Sequence, residues 1–76
     1  MMQDFTTASR TYRFQWVSDQ AFDGLRLEAL HGAEIILDVS VPTACPLTVN
    51  TFSNEVDADL VTAALGVALG ERQAQP

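Results

Sequence analysis

The fold is decided by residues 25–41, which read LRLEALHGAEIILDVSV. The first half alternates apolar with charged residues, which is the period-2 pattern of a strand with one face buried. Gly32 lies between the two halves, where a residue in the left-handed conformation can close a hairpin. We predict two antiparallel strands joined by a three-residue loop, Leu30-His31-Gly32. In this register the inward residues are Leu25, Leu27, Ile35, Leu37, Val39 and Val41.

The other face of this hairpin is predicted to be polar and to lack a covering helix. Its carboxylates could meet a basic partner, and Ile36 would be its lone apolar anchor. We therefore take this face as the candidate partner-binding surface. The residues assigned to it are Arg26, Glu28, Glu34, Ile36 and Asp38.

An earlier strand is predicted from Thr11, where Tyr12, Phe14 and Trp16 alternate with polar residues. Such aromatic residues could form a base-stacking platform, but the acidic character of the chain favours a role in the core. The dipeptide Asp23-Gly24 is typical of a tight turn into the next strand. Residues 1–9 show little pattern and are predicted to be a loose leader.

A fourth strand is predicted over residues 47–52, after two prolines that cannot donate to a strand ladder. Its phase is ambiguous, because either Leu47 and Val49 or the alternate set could face inward. We favour Leu47 and Val49. The alternate set is Thr48, Asn50 and Phe52.

The last third of the chain changes to helical periodicity, and we predict a helix over residues 55–71. Ser53 or Asn54 would cap its start, and residues 72–76 would form a flexible tail. The predicted apolar stripe consists of Leu60, Val61, Ala64, Leu65, Ala68 and Leu69.

These elements predict an α+β fold: a four-stranded antiparallel β-meander over residues 10–52 with one C-terminal α-helix packed on one face. This ββββα arrangement is a two-layer sandwich. The chain has 76 residues, too few for two separate cores, so we expect one small domain over residues 1–76.

The charge of the chain is strongly acidic. Ten acidic residues stand against four basic ones, giving a net charge of −6. Because phosphate binding needs clustered lysine and arginine, direct binding to nucleic acid or to an anionic membrane is disfavoured. The N-terminal segment lacks the pattern of a signal peptide, and a lone Cys45 requires no oxidising compartment. We expect a cytoplasmic protein.

Enzymatic chemistry is poorly supported by the residues present. His31 and Cys45 are the only candidates for a nucleophilic pair, and the predicted strands place them at opposite ends of the sheet. Zinc needs three or four ligands of the histidine or cysteine type, and the chain has two such residues. Glu55 and Asp59 share a helix face, but such pairs usually complement the helix dipole. We expect no metal, no cofactor and no catalytic residue.

Small residues repeat along one side of the predicted helix, at Thr62, Gly66 and Gly70. Glycine inside a helix costs about 1 kcal/mol relative to alanine. One interpretation makes Gly70 the helix cap and Gly66 a close contact with an aromatic residue such as Trp16. The other places this side against a second helix in a homodimer.

We therefore predict a non-enzymatic, acidic protein-binding module. It would act by protein–protein contact, as a phage or bacterial inhibitor or accessory factor that acts on a basic, nucleic-acid-handling protein. The alternative is a homodimeric structural or regulatory subunit. A third class is a small-ligand binder or enzyme with its site at a dimer interface.

Overall fold

A computed structural model describes residues 2–7, 10–19, 24–43 and 46–74. Five strands form one antiparallel sheet in which each strand pairs with its neighbour along the chain, and one helix follows. The α+β fold with a meander sheet and a C-terminal helix is confirmed, with five strands where four were predicted. The elements are β1 (Met2–Thr6), β2 (Thr11–Asp19), β3 (Gly24–His31), β4 (Glu34–Pro42), β5 (Thr48–Asn50) and α1 (Ala58–Ala74).

The additional strand is β1, so the prediction of a loose leader over residues 1–9 is wrong for residues 2–6. Phe5 lies opposite Tyr12 in the β1–β2 ladder. Its ring stacks on Phe14 with the centroids 6.1 Å apart. One inward aromatic side chain and the open edge of β2 are therefore enough to hold a segment that has little alternation of its own.

The core lies between one face of the sheet and the helix. Most of the predicted inward residues of β2, β3 and the second half of β4 are buried, Leu25 only partly, and the helix packs over β3 and β4. Trp16 is half-buried against this cluster. The buried apolar residues are Tyr12, Phe14, Leu27, Ala29, Ile36, Leu37, Val39, Val41, Leu60, Ala64 and Ala68.

The β3–β4 hairpin differs from the prediction at its tip. β3 continues to His31, and Gly32 and Ala33 form the turn, with Gly32 in the predicted left-handed conformation at φ 63°. The register shifts by one residue between Ala29 and Leu30. Such a β-bulge inserts an extra residue in one strand and reverses which face the following side chains occupy.

This bulge changes the predicted pairing. Leu27 lies opposite Val39 and Leu25 opposite Val41, whereas Ile35 pairs with Leu30 on the outer face. Ile35 is accordingly 37% exposed. The predicted inward position of Ile35 is therefore wrong, because a three-residue loop without a bulge gives a different register.

β5 is shorter than predicted but has the favoured phase. Val49 lies opposite the buried Val39, and Leu47 packs against the core. Val49 nevertheless stays 40% exposed, because β5 is a three-residue edge strand. The strand ends before Phe52, which adopts a left-handed backbone conformation.

The helix begins and ends three residues later than predicted. Asp57 caps its start: its backbone carbonyl accepts the N–H groups of Leu60 and Val61 at 3.1 and 3.2 Å. Ser53 and Asn54 are therefore not the cap. Gly70 lies within the helix, and residues 72–74 are helical where a tail was predicted. Three of the six predicted stripe residues, Leu60, Ala64 and Ala68, are buried, and Leu69 is 47% exposed.

Some predictions fall on residues outside the described ranges. They concern Asp23 in the first tight turn, Cys45 and the last two tail residues, 75–76. Because Cys45 is among them, the predicted separation of Cys45 from His31 stays a prediction.

Candidate functional site

The outer face of the sheet carries three of the five predicted partner-binding residues. In the β3–β4 ladder, Glu28 lies opposite Asp38 and Arg26 opposite Ser40, so their side chains share the face away from the helix. Gln15 in β2 lies opposite Glu28 and extends the same face. The alternation of apolar and polar residues along β2, β3 and β4 places this polar surface on the predicted face of the sheet.

The charges of this outer face are largely compensated within the sheet. Arg26 Nε lies 3.9 Å from Asp38 Oδ2, and the Asp38 side chain is only 8% exposed. Gln15 Nε2 donates to Glu28 Oε1 at 2.6 Å. Because these carboxylates already have partners, the outer face offers a basic protein less free negative charge than its composition indicates.

The remaining two predicted residues, Glu34 and Ile36, belong elsewhere. The bulge places Glu34 opposite His31, whose ring lies 5.9 Å from the ring of the core residue Tyr12. Ile36 is 8% exposed and joins the core cluster. The prediction that Ile36 is an exposed anchor on the outer face is therefore wrong.

Glu34 and Ile36 instead line a cavity of about 300 Å³ at the tip of the β3–β4 hairpin. The loop before the helix closes one side of this cavity, and the residue before β2 closes another. Its polar walls carry both signs of charge over an apolar floor. The lining residues are Arg10, His31, Glu34, Ile36, Asn54 and Glu55.

Beside this cavity the chain makes a tight turn over residues 51–54. The N–H of Asn54 donates to the carbonyl of Thr51 at 2.9 Å. Phe52 and Ser53, at the centre of the turn, have φ of 54° and 64°. Positive φ at both central positions is the type I′ pattern, which usually takes asparagine, aspartate or glycine.

Two asparagine side chains hold this turn, which we call the Phe52 turn (residues 51–54). Asn50 Oδ1 accepts the N–H of Phe52 at 3.0 Å. Asn54 Nδ2 donates to the carbonyl of Ile36 at 3.3 Å, which fixes the turn to β4. The Phe52 side chain is 46% exposed. An aromatic residue is therefore presented to solvent on a strained and anchored turn.

Sequence reasoning missed this turn because neither central residue is glycine or asparagine. The sequence feature that could have indicated the turn is the pair of asparagines, Asn50 and Asn54, on either side of Phe52 and Ser53. Left-handed conformations cost residues with a Cβ about 1–2 kcal/mol each. Strain of this kind concentrates at functional sites.

Replacing Ser53 by glycine tests the strain directly. We expect Ser53→Gly to raise the free energy of unfolding by about 0.5–1 kcal/mol, since glycine removes the left-handed cost but adds entropy to the unfolded chain. Thermal unfolding should shift upward by several degrees. The matched control is Ser18→Gly, an exposed serine in β2, which should destabilise. A Ser53→Gly variant that unfolds at or below the wild-type temperature would show that the left-handed backbone at Ser53 is not strained.

The carboxylates near the start of the helix divide into structural and exposed groups. Asp57 Oδ2 accepts the hydroxyl of Tyr12 at 3.2 Å, which ties the helix start to β2. Glu55 and Asp59 are exposed.

His31 Nδ1 lies 3.4 Å from the carbonyl of Thr11. Within the described ranges no group of three or more His, Cys, Asp or Glu side chains could hold a metal ion.

The small-residue side of the helix, Thr62, Gly66 and Gly70, is exposed. A Cβ atom added at Gly66 or Gly70 would meet no atom within 4 Å. The interpretation of Gly66 as a close contact with an aromatic residue is therefore wrong. The interpretation of Gly70 as the helix cap is also wrong, because the helix continues to Ala74.

Comparison of the chain with protein-family models, curated proteins and solved structures gives no match. In the part of the chain that the structure describes, no helix has both the length and the apolar character needed to cross a membrane.

Proposed function

We propose that this chain is a non-enzymatic protein-binding module that engages its partner through the Phe52 turn. The observation that carries the proposal is an aromatic side chain, 46% exposed, on a turn with two left-handed non-glycine residues. Aromatic residues, phenylalanine among them, are enriched in protein–protein interfaces. Rigidity helps because little conformational entropy is lost on binding.

The charge around the turn supports a basic partner. Glu34 and Glu55 line the adjacent cavity, and neither forms an ion pair with Arg10 among the residues described. These carboxylates differ from Glu28 and Asp38, which have partners inside the sheet. A net charge of −6 would also steer a basic protein toward this chain.

Within this proposal the chain acts in the cytoplasm as an inhibitor or accessory factor of a basic, nucleic-acid-handling protein. An acidic module that covers a nucleic-acid-binding surface would compete with phosphate groups for the same arginine and lysine side chains. Such competition requires no catalytic residue, metal or cofactor in this chain.

Removing the Phe52 ring should abolish most of the binding. We expect Phe52→Ala to weaken the affinity for the partner by about 30-fold or more, which corresponds to losing about 2 kcal/mol of binding free energy at a hot spot. Affinity capture from the native host would identify the partner with wild-type bait, and calorimetry with the purified partner would then measure the loss. The matched control is Val49→Ala, which shortens another exposed apolar side chain on the neighbouring strand.

The charge component is tested with a second set of variants. Glu34→Gln with Glu55→Gln should weaken binding and reduce its dependence on salt concentration, since two carboxylates that line the cavity are removed. Glu28→Gln, on the outer face, should have little effect. If Glu28→Gln weakens binding and Phe52→Ala does not, the partner binds the outer face and the proposal for the Phe52 turn is wrong.

A further inference from the structure

The cavity of about 300 Å³ at the tip of the β3–β4 hairpin has an unbalanced charge in its walls. Glu34 and Glu55 each contribute a carboxylate, and Arg10 contributes the one guanidinium among the lining residues. The walls therefore hold one more negative than positive charge when His31 is neutral. A ligand with a single positive charge would balance them. We call this cavity, lined by Arg10, His31, Glu34, Ile36, Asn54 and Glu55, the hairpin-tip cavity.

The walls of the hairpin-tip cavity offer hydrogen-bond acceptors on two sides. Glu34 is the first residue of β4, and Glu55 lies in the loop before α1. Asn54 Nδ2 donates to the carbonyl of Ile36 at 3.3 Å, which holds the amide in place, and the oxygen of the same amide is an acceptor. A ligand for this cavity therefore needs several donors that reach two walls at once.

The floor of the hairpin-tip cavity is apolar. Ile36 is 8% exposed and belongs to the core cluster, so it gives a rigid surface for the methylene groups of a long side chain. The volume is at the lower end of the range of small-molecule sites, about 300–1,000 Å³. One long side chain with a charged end suits this volume better than a larger molecule does.

We propose that the hairpin-tip cavity binds an arginine side chain of the partner protein, with the guanidinium between Glu34 and Glu55 and the methylene groups over Ile36. This inference rests on the proposed function, because it names the residue type by which the basic partner is recognised. A guanidinium is planar and carries five N–H donors and no acceptor. It is also more weakly hydrated than the ammonium of lysine, whose three donors share one nitrogen.

Other ligands match this cavity less well. An anion would meet Arg10 but also two carboxylates. Among the residues that the structure describes, no group of three or more suitable side chains could hold a metal ion. A second cavity, of about 250 Å³, provides a comparison within the same chain. Its two charged lining residues, Asp4 and Arg13, lie 3.8 Å apart and balance each other, so it should not attract a cation.

Titration of the full chain with Nα-acetyl-arginine methylamide, followed by NMR, tests the site without the partner. This blocked arginine should shift the Ile36 methyl signals and the Asn54 side-chain amide signals saturably. We expect a dissociation constant on the order of millimolar, since one side chain provides few contacts. Leu30, which lines the second cavity, should not shift. Blocked citrulline, which has a similar shape without the charge, should not bind. The absence of a saturable shift with blocked arginine would overturn the proposal.

Charge variants identify the groups that bind the probe. Glu34→Gln with Glu55→Gln should weaken the binding of blocked arginine by about 5-fold or more, and Arg10→Ala should strengthen it by about 2-fold, because a competing positive charge is removed. Glu28→Gln, on the outer face, is the matched control and should change nothing. Saturable binding of inorganic phosphate that is lost in Arg10→Ala would identify an anion site and contradict the proposal.

The results for the cavity can be separated from those for the Phe52 turn. Phe52 is not among the lining residues, so Phe52→Ala should bind blocked arginine as wild type does. If blocked arginine does not bind and Phe52→Ala still abolishes partner binding, the arginine site is wrong and the proposed function stands. If blocked arginine binds and Phe52→Ala leaves partner binding unchanged, the arginine site stands and the role of the Phe52 turn is wrong.

Discussion

Ile36→Asp is expected to lower the free energy of unfolding by about 3 kcal/mol, because it places a charge among the apolar side chains of the core. Ile36 is 8% exposed and belongs to the core cluster. The new carboxylate would also join Glu34 and Glu55 around one cavity. A chain of this length typically has a total stability of about 4–11 kcal/mol. The variant should therefore lose a large fraction of its total stability.

The adjacent isoleucine provides the matched control. Ile35 is 37% exposed and pairs with Leu30 on the outer face, so Ile35→Asp should cost less than about 1 kcal/mol. Urea unfolding followed by circular dichroism would measure both variants. Alternation without a bulge would place Ile35 inward and Ile36 outward, and so predicts a larger loss of stability for Ile35→Asp. A larger loss at Ile35 than at Ile36 would therefore contradict the register described for β4.

Phe14→Ala is expected to cause the second large loss of stability, lowering the free energy of unfolding by about 3–5 kcal/mol. Phe14 is 2% exposed and stacks on Phe5, so its removal leaves a cavity between β2 and the helix layer and also removes the contact that holds β1. The edge strand should loosen together with the core. We expect a lower urea midpoint and a loss of amide protection in β1.

Phe52→Ala is the matched control for this substitution and links stability to function. Because the Phe52 side chain is 46% exposed, its truncation should change stability by less than about 0.5 kcal/mol. The two phenylalanines should thus separate cleanly: one variant loses the fold, and the other keeps the fold and loses the partner. A Phe52→Ala variant as unstable as Phe14→Ala would assign the ring to the core and remove the basis of the proposed function.

Sequence patterns were sufficient where alternation was regular and one residue type marked each face. Tyr12 and Phe14 in β2, and Leu27 in β3, are buried as predicted. The hairpin turn was also located, because Gly32 is suited to a left-handed backbone. In these segments local preference and tertiary packing favour the same structure.

The alternation of apolar and polar residues was not sufficient where neighbouring residues do not indicate which side chain faces the core. Ile35 and Ile36 are identical, so the sequence does not indicate which one faces the core, and the bulge decides it. β1 was missed because Phe5 is its one large inward side chain, and the open edge of β2 supplies the rest.

The candidate site was harder to predict than the fold. Partner binding was assigned to polar residues on an uncovered face, yet several of these side chains have partners within the sheet. The Phe52 turn depends on two asparagine side chains that bond to the backbone. The bond from Asn54 to Ile36 arises only once the chain after β5 lies beside β4, and a linear pattern does not reveal it.

The nearest-neighbour order of the strands also governs how quickly the chain can fold. Every ladder joins segments that are adjacent in sequence, so each closes a short loop with a small entropic cost. The helix, which packs on β3 and β4, closes the longest loop and can dock after the hairpins have formed. Low contact order of this kind accompanies fast folding. The sheet should therefore assemble hairpin by hairpin.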